Sequence, residues 1–341
     1  MSAPLELEVK TGEVPPREPP RRRTLGGLAL HILSIHGLLV FGIALVLVFA
    51  LLLPSTFTGG SNVRAILGNN TTVAMLAMAE MIVIATANYD LSIAYGIGLM
   101  HILAMGLLTD ANLPWPMVVV LTILAGGIIG WINGALVEYA KIDSFIATLG
   151  VGTILYGIGS WYTNGTQLVG NVPQAFANLN DAKLFTLPLP TYMVAAVAIV
   201  AWICLEHIPV GRRLYAIGSN RRAAELTGVP ARRLVMGSFV ASGLIVGLAG
   251  VLLAARLQVA QSSVGPEFLL PAFVGALLGA TTIRPGRVNA WGTIVAVLVL
   301  AVGIAGLQQL GNSFFTEPIF QGAALIISVG LAGFAARRRK R

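Results

Sequence analysis

Three carboxylates, Glu80, Asp90 and Glu138, lie within or at the edge of stretches that are otherwise almost wholly apolar. A charged side chain at the centre of a bilayer costs about 3 kcal/mol or more, so acids in such places face a partner or a water-filled cavity. They can line a path for a polar solute or bond one helix to another. Asn133, Gln258 and Gln261 add amides that could contact a hydroxylated solute or a neighbouring helix. Cutting the chain at Pro, Gly and charged clusters puts Asp90 and Glu138 near the membrane boundary, where a structural role is favoured, unless a broken helix at Asn88 to Asp90 carries Asp90 deeper. Glu80 is deeper on either cut. Glu80, Asp90 and Asn133 are therefore the candidates for a path-lining role. His31, His36, His101 and His207 are scattered without H-E-x-x-H or comparable spacing, which gives metal binding and proton relay little support. Cys204 is the only cysteine and lies in an apolar run, so no intramolecular disulfide forms and membrane packing is its expected role. No metal or cofactor is expected.

The elements that would position these groups follow from composition. The chain is 56% hydrophobic and only 11% charged, with a mean hydropathy of +0.83. That is too little charge to cover a soluble globule of 341 residues. The net charge of +8 sits in short basic clusters between apolar runs, without the aromatic interleaving of a nucleic-acid surface, so nucleic acid is not an expected partner. Residues 1–27 are rich in Pro, Glu and Arg and read as a disordered tail. The apolar run that follows is too long for the core of a signal peptide and reads as a first spanning helix.

The fold class is therefore all-α, a polytopic membrane protein with about ten transmembrane helices over residues 28–336 and a basic tail at 337–341. The expected spans are 28–53, 63–87, 91–109, 116–139, 144–162, 190–208, 234–256, 268–282, 288–308 and 317–336. An even number puts both termini on one side, and placing them in the cytoplasm leaves only Arg64, Lys183 and Arg256 of the 22 lysines and arginines at the outer face. The longest outer connection, about Thr163 to Pro190, is rich in amides, including Asn164, Gln167, Asn171, Asn178 and Asn180. It suits either a docking surface or a solvated connector. Helices two to five and seven to ten also suggest an inverted repeat, with Ile132 to Gly134 and Val302 to Gly306 at corresponding helix ends.

The strongest charged interruption runs from Pro209 to Arg233 and holds Arg212, Arg213, Arg221, Arg222, Arg232 and Arg233. Asn220 is a good N-cap, Arg221 to Thr227 has helical composition, Gly228 suits the C′ position and Pro230 discourages continuation. This spacing predicts a short helix between two spanning ones. Arg221 and Arg222 fall in its first turn, where the macrodipole disfavours cations, which hints at an acidic partner or lipid headgroups outside the chain. Ala223 and Ala224 are small enough for close approach to another surface. Positive-inside anchoring alone also explains the arginines, though not the cap, small face and stop together.

These residues resemble the permease subunits of ribose-type ABC importers, within the wider group that includes branched-chain amino-acid permeases. The resemblance rests on Gly211 to Asn220 followed by Ala223, Ala224, Gly228 and Val229, on Asp90-Leu91-Ser92, Ile132-Asn133-Gly134, Phe145 to Gly150 and Tyr162 to Gly165, and it covers most of the chain from about residue 60. It implies a pair of permeases in the cell inner membrane, each contacting an ABC ATPase subunit through Gly218, Asn220, Arg221, Arg222, Ala223, Ala224, Glu225 and Gly228. It also implies a periplasmic substrate-binding protein that delivers a monosaccharide or similar solute, and alternating access driven by ATP. No Walker A pattern occurs, so the ATPase would be a separate chain and this one not an enzyme.

Two departures from the family pattern stand out. Ala87, Asn88, Tyr89 and Asp90 occupy a place where two glycines usually precede the acid, and Gly279 to Thr282, then Ile283 to Gly286, replace a Gly-Gly-Thr-Ser turn. Both restrict the backbone. A self-sufficient secondary transporter or channel is the competing class, which Gly-rich helices and Glu80 would also allow.

Overall fold

The computed structural model describes residues 25–311, 315–324 and 326. Residues 1–24 of the expected N-terminal tail, the tail at 337–341 and most of the tenth span lie outside the described residues, while residues 25–27, expected as tail, are helical. Helix α1 covers Leu25–Leu52, α2 Gly60–Asn69 and α3 Thr71–Ile84. The single span expected over 63–87 is broken, because α2 and α3 meet at 43°. Asn70 sits at the corner with its side-chain amide donating to the Ile66 carbonyl at 2.8 Å, and the Thr71 hydroxyl donates to Gly68 at 2.9 Å. Side-chain bonds to a preceding turn are an established cause of such bends.

Helices α4 (Ser92–Thr109), α5 (Trp115–Glu138) and α6 (Ser144–Thr163) agree with expectation to within one residue at each end. The Asp143 carboxylate starts α6 by accepting from the backbone of Phe145 and Ile146, and Asn164 ends it at φ +49°. The connection expected as an amide-rich loop contains structure of its own. It carries α7 (Gln174–Asp181), with Phe176 and Ala177 buried, Phe176 among Ile102, Met105, Val118 and Val251. Four two-residue strands, β1 Leu168–Val169, β2 Lys183–Leu184, β3 Leu187–Pro188 and β4 Val259–Ala260, pair as β1 with β4 and β2 with β3, both antiparallel. The segment thus folds back onto the ends of neighbouring spans.

Helix α8 (Leu189–Trp202) ends in a π-helical turn, Ile203–His207, where Cys204 is exposed on the protein surface. Two short helices follow, α9 (Pro209–Ser219) and α10 (Arg221–Leu226), where the sequence pointed to one. Helix α11 is Ala231–Leu257, α12 Leu269–Gly279 after two 3₁₀ turns, and α13 Ala290–Gln309. Among the described residues, seven helical segments are long and apolar enough to cross a membrane, or eight if bent α2 and α3 form one span. The chain is an all-α polytopic membrane protein.

Helix α11 is the hub, packing on α3, α4 and α5. In a bilayer, helices gain little from hiding apolar surface and associate through close packing, which small residues permit. Gly126 and Gly130 of α5 face Gly243 and Phe239 of α11 so closely that a Cβ on either would overlap a carbonyl oxygen of the partner helix. Gly247 fits in the same way against Thr122 and Ile123. The α5–α11 seam is thus a contact of backbone on backbone.

Candidate functional site

Two features stand out, a charged appendage on one face and a buried polar joint above it. The appendage begins with α9, which Pro209 starts at a position needing no N–H donor. Gly211, Leu214 and Ile217 are buried at helical spacing, so Arg212, Arg213 and Ala216 face outward. Tyr215 is half-buried, with its hydroxyl donating to the Val288 carbonyl at 2.9 Å and the Arg287 guanidinium 4.3 Å over its ring. Burial pushes its phenol up to about 12, although Arg287 pulls the other way. Arg287 in turn donates to both Glu206 oxygens at 2.6 and 2.7 Å, and Arg284 pairs with the same carboxylate. The π-helical turn, α9 and the α12–α13 connection are therefore one charged cluster.

Helix α10 is capped as its sequence predicts. Asn220 Oδ1 accepts from the Ala223 backbone at 3.0 Å. At the other end Gly228 has φ +83°, its N–H bonds to Glu225 and that of Val229 bonds to Ala224, the two closures of a Schellman motif. A six-residue helix has little stability alone. What fixes it is Arg221, whose guanidinium donates two 2.6 Å bonds to the fully buried carboxylate of Glu138 and a third at 3.0 Å to Glu225. The bond to Glu138 holds the Arg221 proton more tightly than in a free arginine, against the opposing effect of burial. The acidic partner hinted at by the first-turn cations is, for Arg221, inside the chain. Glu138, the last residue of α5, is correspondingly a buried structural anchor at that helix end.

Ala224 also turns inward, buried against Val83, Val235 and Phe239. Its small size serves approach to this chain's own helices. The outward face is left to Arg222, Ala223, Glu225 and Leu226, with Leu226 76% exposed. Sequence reasoning missed Leu226, whose signal was one leucine on an otherwise polar helix. Gly218, at the end of α9, lies so close to the Ala85 carbonyl that a Cβ there would overlap it.

That contact leads to the joint. After α3 the chain passes through Ala87, at φ +59°, and reaches Asp90 before α4 begins. Four successive backbone N–H groups at this break need partners, and side chains supply all of them. Tyr89 donates to Ser144 Oγ at 3.2 Å, Asp90 to both Glu80 oxygens at 3.2 and 3.3 Å, Leu91 to Thr148 Oγ1 at 3.0 Å and Ser92 to Asp90 Oδ1 at 3.1 Å. Asp90 also accepts from the hydroxyls of Ser92 at 2.6 Å and Ser242 at 3.2 Å, and from the Asn133 amide at 3.3 Å. The carboxylates of both acids, Glu80 reaching across from α3, lie at the start of α4, where negative charge is favoured.

The structure thus brings Glu80, Asp90 and Asn133 together, joined by Ser92 and by Ser242, for which the sequence carried no signal. The cavity beside Asp90 and Asn133 has a volume of only about 10 Å³. In this conformation the cluster is a joint between α3, α4, α5 and α11, with no room for a solute. Gln261 is bound within the chain, its backbone N–H donating to His101 Nε2 and its side-chain oxygen accepting from the Gln167 amide, while Gln258 ends α11 at φ +54°. Among the described residues, no group of three metal-binding side chains converges.

Residues 62–329 match the family described as the permease component of the branched-chain amino acid transport system. The chain is 28% identical over 292 residues to the ribose import permease protein of Haemophilus influenzae, covering 84% of this chain and 90% of that one. It is 30% identical over 262 residues to the autoinducer 2 import system permease protein of Escherichia coli K12, covering 75% and 79% respectively. No solved structure matches. With its polytopic helical fold and a match over most of its length, the chain belongs to this family of transport permeases.

Proposed function

We propose that this protein is the transmembrane subunit of an ATP-driven importer that carries a monosaccharide or similar small polar solute across the inner membrane by alternating access. Two copies form the path, an ATPase subunit docks on the outward face of α9 and α10, and a solute-binding protein delivers its cargo at the opposite face, over the paired strands β1 and β4 and the start of α7. The termini and the arginines then lie in the cytoplasm. The named relatives, permeases of ribose and autoinducer 2 import systems, favour a small hydroxylated solute.

The observation that carries this reading is the construction of α9–α10. The pair presents Arg212, Arg213, Arg222 and Leu226 outward while two fixed links run inward. Gly218 bears on Ala85, five residues before Asp90, and Arg221 grips Glu138 at the end of the helix that carries Asn133. A push on α10 would therefore reach the buried joint through packed backbone and a bidentate ion pair. Glu80, Asp90 and Asn133 line the solute's path once the joint parts, with Asp90 and Asn133 exchanging their mutual bonds for bonds to hydroxyls.

The test is co-purification and uptake. A tagged chain expressed with its neighbouring genes should retain an ATPase subunit, and proteoliposomes should accumulate solute only with ATP inside the appropriate compartment. Transport without ATP and without a retained ATPase would defeat the reading.

A further inference from the structure

Three cations, Arg64, Lys183 and Arg256, lie far apart in sequence and come from three different elements, yet they line one pocket of about 460 Å³. Asn69 and Asn180 contribute amides to it, and Asp181 is the one carboxylate in its lining. Asp181 already accepts from the Asn180 amide at 2.9 Å. Arg256 is held in place by bonds of 3.1 Å to the Asn69 carbonyl and side chain, which neutralise no charge. Neither Arg64 nor Lys183 forms an ion pair among the described residues. Three positive groups against one negative group leave a net positive site with donors already arranged.

The pocket lies on the membrane face opposite α10. Helix α11 starts beside α10 at Ala231 and ends at Leu257, next to Arg256, and its 27 residues span about 40 Å. Exposed apolar side chains flank these cations in sequence. Val63 precedes Arg64, and Leu184 and Phe185 follow Lys183 at the tip of the β2–β3 hairpin, with Phe185 91% exposed. Cations interleaved with exposed apolar side chains at the end of a span are the pattern of a membrane interface, where apolar groups enter the acyl boundary and cations reach the phosphates.

We propose that this pocket binds the phosphate of an anionic phospholipid headgroup in the leaflet opposite α10, with Leu184 and Phe185 seated beside it in the interface. The inference rests on the chain being a membrane protein and not on the proposed function.

The test uses the full-length chain in nanodiscs of phosphatidylcholine with a minor fraction of phosphatidylglycerol. Bound lipid is counted by native mass spectrometry after release. Wild-type protein should retain phosphatidylglycerol, the double variant Arg64→Gln/Lys183→Gln should retain it on the order of tenfold more weakly, and Arg64→Lys should behave as wild type. Both substituted residues are exposed, and an unchanged thermal midpoint in pure phosphatidylcholine shows that the variant folds. Equal retention by wild type and double variant overturns the proposal. So does displacement of the lipid by millimolar inorganic phosphate, which would assign the pocket to a free anion. Unchanged lipid retention with lost stimulation by the solute-binding protein would assign it to protein docking and likewise overturn it.

Discussion

Replacing Arg221 by Gln should loosen α10 from the membrane domain, and the size of the effect follows from burial. Glu138 is fully buried, and without Arg221 its remaining cation is Lys141, 3.6 Å away with its side chain 59% exposed. Removing one partner of a buried ion pair costs about 3–5 kcal/mol. Because the Arg221 side chain is itself 38% exposed and Lys141 persists, the expected loss is about 2–3 kcal/mol. Glu138→Gln should cost less, about 1–2 kcal/mol, since Arg221 keeps Glu225 and some solvent. The double variant removes both charges and should be less destabilised than the sum of the singles. A double-mutant cycle on equilibrium unfolding in mixed micelles measures that difference. A coupling energy above about 1 kcal/mol supports the anchoring role, and one below about 0.5 kcal/mol refutes it. The same variants, assembled with the ATPase, should hydrolyse ATP with weakened dependence on solute. Unchanged coupling with a large loss of stability would confine the pair to folding.

Ala87→Gly should stabilise the protein by about 0.5–1 kcal/mol, because a left-handed alanine is strained while glycine regains chain entropy on unfolding; unfolding in mixed micelles reads the sign. Gly130→Ala should disrupt assembly of the helices, since a Cβ there meets the Phe239 carbonyl, and monodispersity after detergent extraction reports it. The raised ionisation of Tyr215 stabilises the fold fully below pH 10 and is lost between about pH 10 and 12, so Tyr215→Phe should flatten alkaline unfolding in that window by at most about 2 kcal/mol. Leu226→Ala together with Arg222→Gln should weaken ATPase retention in pull-down while leaving thermal stability unchanged, as both side chains are exposed.

What could be read in advance was local. Asn220 as a cap and Gly228 as a stop depend on residues within one turn, and both are realised. Most span boundaries followed in the same way from runs of apolar residues. The bend at Asn70 escaped because Asn within an apolar run signals equally a bend, a contact or an ordinary turn. Helix α7 escaped because its amides read as loop, whereas the burial of Phe176 on neighbouring spans decides its form. The pairings that define the site join Glu138 to Arg221, Asp90 to Ser242 and Glu206 to Arg287, each more than 80 residues apart. Only tertiary packing of elements far apart in sequence brings such partners together, α5 with α10, the start of α4 with α11, and the π-helical turn with the α12–α13 connection. The first-turn arginines show the consequence, since their unfavourable dipole placement signalled an acid but could not say that it belonged to the same chain.

The glycine seam between α5 and α11 constrains how the protein is made. Helix α5 ends at Glu138 and α11 starts at Ala231, so roughly 90 residues must be synthesised between them. At about 5–20 residues per second, α5 waits in the membrane for roughly 5–20 s with its groove of Gly126 and Gly130 unfilled. During that interval any small-faced helix is a competitor. The order of insertion, as much as the final packing, therefore determines whether α5 meets the partner its glycines are shaped for.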